Sequence, residues 1–306
     1  MTVTHKRSAA AIQADNCHTP PRSIAACATL ACIWEASAPK PGNVHRGADF
    51  DDVSYVEFLT SAAVVGPLLQ QAADRGVGRT ILQAVQATQF AVGTNTNLGT
   101  LLLLGPMAAV PSETSSADGI SEVLSKLGAD DTADVYQAIR LAQPGGMGSA
   151  EEADVCHTDA PPIGLVEAMR LAADRDLIAR QYTNRFEQVF EMADAIQHAT
   201  SQGWPLADAI THSFLQLLAQ HPDSLIQRKS GTAVAQQASD RAAQALQSGG
   251  PEDAGYSTAV AELDFWLRSD ARRRNPGTSA DLVAAGLFVL LRDERLYWPV
   301  RFYETP

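Results

Sequence analysis

The chain is short of aromatic residues, of cations and of any long apolar run. Phe, Trp and Tyr make up only 6% of 306 residues. A β-sandwich or barrel core filled by large rings is therefore not indicated, and no segment alternates apolar and polar residues as a half-buried strand does. Lys and Arg number 23 against 35 Asp and Glu, which gives a formal net charge of -12. That balance argues against nucleic acid and against anionic membrane surfaces as partners, because both reward a basic face. No run reaches the ~18–20 apolar residues of a membrane span. The four cysteines, Cys17, Cys27, Cys32 and Cys156, show no CxxC or other zinc spacing. They read as idle thiols in a reducing cytoplasm. Histidines lack HxH or HxxxH spacing, so zinc is not expected. Residues 1–21 are polar, carry no apolar signal core and read as a flexible tail.

What remains is helical. Hydrophobic residues make up 45% of the chain, and helical periodicity recurs throughout. Ile24, Cys27, Ala28, Ala31 and Trp34 share a face behind Ser23 as cap. Ser54 caps a second run, which Gly66-Pro67 kinks or ends. Leu98 to Val110 is apolar on all sides and reads as a buried helix. Asp176 to Thr200 reads as one long helix. Pro205 fits the first turn of the next. Pro111 to Ala129 and Ser248 to Gly255 read as loops. The expectation is an all-α protein with roughly ten or more helices, in one domain over residues 22–306. The alanine-rich helices leave a homodimer open.

Five polar corners interrupt these helices. Ser37-Ala38-Pro39-Lys40-Pro41-Gly42-Asn43 sets a lysine between two prolines, on a stiff non-helical turn suited to an anion. Gly93 to Gly99 carries Asn95, Thr96 and Asn97, which serve equally as turn and cap residues or as a ligand-facing nest. Pro144 to Gly148 follows a helix. His221 to Gly231 combines a turn with Arg228 and Lys229. Asn275 to Asp281 opens a final apolar helix, where Thr278 and Asp281 have capping-box spacing. His45 and His221 read as polar turn residues. Asp49, Asp51 and Asp52 form either a metal cluster or a solvated acidic turn. Asp154 and Asp176, single acids at helix edges, are candidates for a metal or base role.

The corners, in this order, resemble the triphosphoribosyl-dephospho-CoA synthase family. Pro39-Lys40-Pro41-Gly42 looks like its PKPG turn, and Asn95-Thr96-Asn97 with Gly99 looks like its N-T-H-K-G segment. His221-Pro222-Asp223 with Arg228 is similar to N-P-D-T…R-G-G. Pro276-Gly277-Thr278-Ser279-Ala280-Asp281-Leu282 is similar to P-G-G-S-A-D-L. The likeness spans about residues 22 to 295. It implies an all-α fold and a transferase that moves the 5-triphosphoribosyl group of ATP to 3′-dephospho-CoA and releases adenine. It implies Mg²⁺ for the triphosphate. It implies Lys40, Gly42, Asn43, Asn95, Thr96, Asn97, Arg228, Lys229 and Ser279 as substrate contacts. The resemblance also sets Asp281 at the site; Asp176, Asp281 and Asp154 are the expected catalytic carboxylates, and Asp49, Asp51 and Asp281 the expected metal ligands.

The chain also departs from that pattern. Asn97 and Leu98 stand where the family has His and Lys. Gly145-Gly146-Met147-Gly148-Ser149, with Glu151, Glu152 and Asp154 following, replaces Gly-Arg-Gly-Glu. His45 stands where the family has Asp. These departures resemble members associated with tetrahydromethanopterin-type cofactor pathways. An enzyme of pterin-linked one-carbon cofactor biosynthesis is therefore an alternative. A non-catalytic helical nucleotide-binding protein is an alternative of another class. The partners expected are small nucleotide substrates.

Overall fold

Ser23 starts the first helix as expected: its hydroxyl accepts from the Ala26 amide at 3.2 Å. The computed structural model describes residues 23–143 and 162–304. The expected tail, Cys156 and Asp154 lie outside them, as does the Gly145 to Ser149 segment.

Helix α1 (Ile24–Ser37) packs against α2 (Tyr55–Leu69). Pro67 does not end α2, which runs two residues further. Gly66 permits the close crossing, because a Cβ there would meet the Thr29 hydroxyl at 2.2 Å. A short turn α3 (Ala72–Arg75) leads into α4 (Val77–Val92). Helix α5 (Leu98–Ala108) is buried at every residue but Gly99, as its unbroken apolar sequence requires. The next stretch corrects the reading of Pro111 to Ala129 as loop. It contains α6 (Ser116–Ser125), capped by the Ser115 hydroxyl, which accepts from the Asp118 amide at 3.2 Å. Its large buried side chains are only Ile120 and Leu124, and the Ser, Gly, Pro and acidic residues around them read as loop.

Helices α7 (Ala129–Ala142), α8 (Leu165–Arg170) and α9 (Leu177–Asn184) follow. The single helix expected from Asp176 to Thr200 is two. Arg185 and Phe186 both take left-handed backbone, at φ 63° and 64°, and α10 (Glu187–Ser201) starts after them. The bend sends the Phe186 ring fully into the core, 5.6 Å from the Tyr182 ring. Burial of that ring offsets backbone strain that a non-glycine residue rarely accepts.

Pro205 precedes α11 (Leu206–Gln220), and α12 (Ser224–Ser230), α13 (Thr232–Gln247) and α14 (Ala254–Arg268) follow. A four-residue extended segment β1 (Ser269–Arg272) leads to α15 (Gly277–Arg292). No sheet forms among the described residues, so the all-α expectation holds.

Helix α15 is the axis of the molecule. Leu282 to Leu291 are all buried, and α1, α5, α10, α11 and α12 pack around it. Gly286 lets α10 approach, since a Cβ would lie 2.7 Å from Met192 Cγ. The start of this helix is thereby firmly anchored, and Asp281 lies in its second turn.

Candidate functional site

A cleft of about 920 Å³ opens where the starts of α5, α9 and α15 and the last turn of α12 meet the corner after α1. Helix starts carry positive dipole ends, which favour anions locally in an acidic protein.

Asp281 lies at the floor, partly open to the cleft. Its Oδ1 accepts from the Thr100 hydroxyl at 2.6 Å, not from a capping-box partner at Thr278. The two helix starts touch here. A Cβ on Gly99 would sit 2.0 Å from Asp281 Oδ2, so only glycine fits. Burial first, then the nearby charges of Glu35 and Asp223, push the Asp281 carboxyl up to about 8. It therefore holds a proton at neutral pH unless a cation takes the proton's place.

Glu35 lines the same cleft. Behind it lies Lys40, fully buried, whose Nζ is 2.9 Å from Glu35 Oε1 and also donates to the Glu35 carbonyl. The proline-bracketed lysine is stiffly held, as its sequence implied, but it does not line the cleft. Its charge reaches a ligand only through Glu35. Glu35 was not anticipated from the sequence; the signal was an isolated acid in the apolar helix Ile24–Ser37. Asn43 lines the cleft, and Gly42 holds the corner in place. Gly42 has φ 74°, its amide donates to Asp264 Oδ1 at 2.7 Å, and its carbonyl accepts from Asn275 Nδ2 at 2.7 Å. A side chain there would collide with Leu267 and Pro276.

Asn95, Thr96 and Asn97 all line the cleft, and they also serve as turn and cap. Asn95 Oδ1 accepts from the Leu98 amide at 3.0 Å, the Thr96 hydroxyl bonds Ser61 at 2.7 Å, and Asn97 Oδ1 accepts from Thr88 at 3.2 Å. Leu98, where the family has a lysine, is buried and lines the cleft.

The cationic wall is richer than expected. Arg228 and Lys229 line the cleft as predicted, and Arg175 and Arg272 join them. The last two lie outside the polar corners and carried no signal. Asp176 caps α9, accepting from the Ile178 amide at 2.9 Å, and pairs with Arg228 Nη1. Its oxygens are thus engaged in holding Arg228 against the cleft. Burial, then repulsion from Arg272 and Arg228, lowers the Lys229 pKa. An anion among these cations would relieve that repulsion.

Ser279 and Asp223 are structural. Asp223, fully buried, accepts from the Ser279 amide at 2.7 Å and hydroxyl at 2.8 Å, and from the Leu225 and Ile226 amides. This ties α12, and hence Arg228, to α15. The expected metal set does not assemble. Asp49 accepts from the Tyr55 amide at 2.6 Å at the start of α2, and Asp51 is exposed; neither lines the cleft. Asp52 pairs with Arg272 at 2.5 Å. No group of three or more His, Cys, Asp or Glu side chains placed to hold a metal occurs among the described residues. The carboxylates facing the cleft are Glu35, Asp176 and Asp281. Both motif histidines behave as turn residues: His45 Nδ1 accepts from the Gly47 amide at 3.2 Å, and burial lowers the pKa of His45 and of His221. No described helix is long and apolar enough to cross a membrane.

Fold and cleft together define an all-α protein with a cleft that sets a cationic wall against a carboxyl floor. The family of ATP:dephospho-CoA triphosphoribosyl transferases matches residues 21–300, and the chain belongs to it. It is also similar to a solved structure from Archaeoglobus fulgidus, a protein proposed to be a triphosphoribosyl-dephospho-CoA synthase. That likeness has 26% sequence identity and a TM-score of 0.59, and covers 77% of this chain and 98% of the other. No curated protein matches the chain.

Proposed function

We propose that the chain transfers the 5-triphosphoribosyl group of ATP to the ribose 2′-hydroxyl of 3′-dephospho-CoA. The observation that carries this is the pairing of Arg175, Arg228, Lys229 and Arg272 with a floor made by Glu35 and Asp281, in a single cleft of a member of this family. In the reaction the bond from C1′ of ATP to adenine N9 breaks and a bond from C1′ to the acceptor O2′ forms. The acceptor hydroxyl gives up a proton, and adenine leaves with one. No phosphorus bond changes, so the triphosphate serves as a handle.

Each residue then has a role. Arg228, held by Asp176, and Arg272, held by Asp52, grip the triphosphate with Lys229 and Arg175. Asn95 and Asn97 orient the ribose and base from the α5 corner, and Asn43 faces them across the cleft. The carboxyl floor turns oxygen lone pairs toward the positive charge that develops at C1′. Lys40 holds Glu35 in place.

Mg²⁺ is part of this proposal. Glu35 and Asp281 both face the cleft, each with one oxygen not taken by Lys40 or Thr100. They would hold the ion together with phosphate oxygens, the usual Mg²⁺ arrangement. The ion would supply neutralisation of the triphosphate. Asp49 and Asp51 have no part in it.

The test is adenine release from ATP, followed by chromatography, with dephospho-CoA present or omitted and with Mg²⁺ or a chelator. Release that needs both acceptor and Mg²⁺ supports the reading. Release of phosphate in place of adenine contradicts it. Adenine release driven by a pterin intermediate but not by dephospho-CoA would transfer the activity to the pterin-linked alternative.

A further inference from the structure

The walls of the cleft are chemically unequal. Its cations and acids lie at Glu35, at the segment leading into α9, on α12, at Arg272 and at the start of α15. Every lining residue within α7 and α8 is uncharged. Val135 and Ile139 on α7, and Leu165 and Met169 on α8, are each four residues apart and therefore share a face. The two helices pack on each other, so the four side chains form one apolar wall. Along α7 it extends about 10 Å.

Tyr136 lies in this wall. It is only 5% exposed, yet its hydroxyl makes no hydrogen bond among the described residues. The ring is buried, while the hydroxyl oxygen itself stays open to the cleft. A donor left free within an apolar wall suits a ligand that is mostly apolar and carries an occasional carbonyl.

The uncharged part of the donor is its adenine, which the proposed reading seats at the Asn95–Asn97 corner. The transferred group of ATP is a ribose and three phosphates, and the cationic wall accounts for it. The acceptor named for the family is different. Dephospho-CoA carries, beyond its diphosphate, an uncharged pantetheine arm with paired methyls, two amides and a terminal thiol. We infer that the α7–α8 wall binds this arm, with the Tyr136 hydroxyl donating to one of its amide carbonyls. The inference rests on the proposed transferase reading. It adds a second substrate subsite and makes Tyr136, Ile139 and Met169 determinants of acceptor choice.

Steady-state adenine release tests it, with ATP and dephospho-CoA varied separately in wild type, Tyr136→Phe and Ile139→Asn. We expect the KM for dephospho-CoA to rise about threefold in Tyr136→Phe and about tenfold or more in Ile139→Asn. The KM for ATP should stay within about twofold in both. Pantetheine alone should inhibit competitively against dephospho-CoA and not against ATP. Equal changes in both KM values, unchanged KM values, or failure of pantetheine to inhibit would each overturn the inference. Thermal melting checks folding, and Tyr136→Phe, which removes one oxygen, carries the test if Ile139→Asn does not fold. If the wild type releases no adenine, the transferase reading fails by itself. Calorimetry with dephospho-CoA and with pantetheine then decides the subsite: binding weakened in the variants supports it, and absent or unweakened binding overturns it.

Discussion

Asp281→Asn should make the protein more stable and inactive at the same time. The unfolded carboxyl ionises near 3.8, whereas burial and the neighbouring acids bring the folded one to about 8. Between those values the folded state holds a proton that the unfolded state has lost. Stability must therefore fall as pH rises through this window and level off above it. The limiting slope for one such group is about 1.4 kcal/mol per pH unit. Water in the cleft screens part of it, so a change of about 1–2 kcal/mol is expected between pH 5.5 and 7.5. Asparagine cannot titrate, and its oxygen still accepts from the Thr100 hydroxyl. Urea denaturation of both proteins across this range gives the difference in stability, in which the other titrating groups cancel. The variant should gain on the wild type as pH rises, and adenine release should drop by about a hundredfold or more. A pH-independent difference would show that Asp281 is already ionised in the folded protein. A variant that turns over normally would remove the carboxyl floor from the mechanism.

Gly99→Ala should lose most activity and lower the melting temperature, because its Cβ would press on Asp281 at 2.0 Å; normal kinetics would refute the close approach of α5 and α15. Lys40→Met leaves Glu35 without its partner in a buried setting and should cost about 3–5 kcal/mol in urea denaturation, while the double variant with Glu35→Gln recovers part of the stability but not the activity. Arg272→Gln should raise the KM for ATP about tenfold and flatten its dependence on salt; an unchanged KM would take Arg272 out of the phosphate grip. Phe288→Ala, fully buried on the central helix, should destabilise by about 3–5 kcal/mol without shifting either KM.

The helices were legible because their burial is periodic or complete. Leu98 to Ala108 could hardly be anything but a core helix, and α15 followed from the same pattern. The break at Arg185 and Phe186 was hidden, since neither residue is a glycine or proline and the apolar spacing continues across it. Helix α6 was hidden by composition, since Ser, Gly and acidic residues outnumber its two large buried side chains. At the cleft, the motif corners marked Asn95, Asn97, Arg228 and Asp281, all of which line it. Lys40 marked it indirectly: the stiff turn fixes the ammonium inward, against Glu35, and Glu35 is the group that faces the ligand. Arg175 and Arg272 come from segments with no motif at all. Only the tertiary meeting of α9, α12 and α15 makes them neighbours, and no local pattern encodes that.

The account stands most directly on what ATP gives up. Wild-type protein incubated with ATP, dephospho-CoA and Mg²⁺ should yield free adenine and an acceptor heavier by one triphosphoribosyl group, in equal amounts. Nuclear magnetic resonance should place the new bond at the acceptor O2′. An acceptor carrying an added phosphate, with ADP as the second product, would contradict glycosyl transfer and with it the roles given to Glu35 and Asp281.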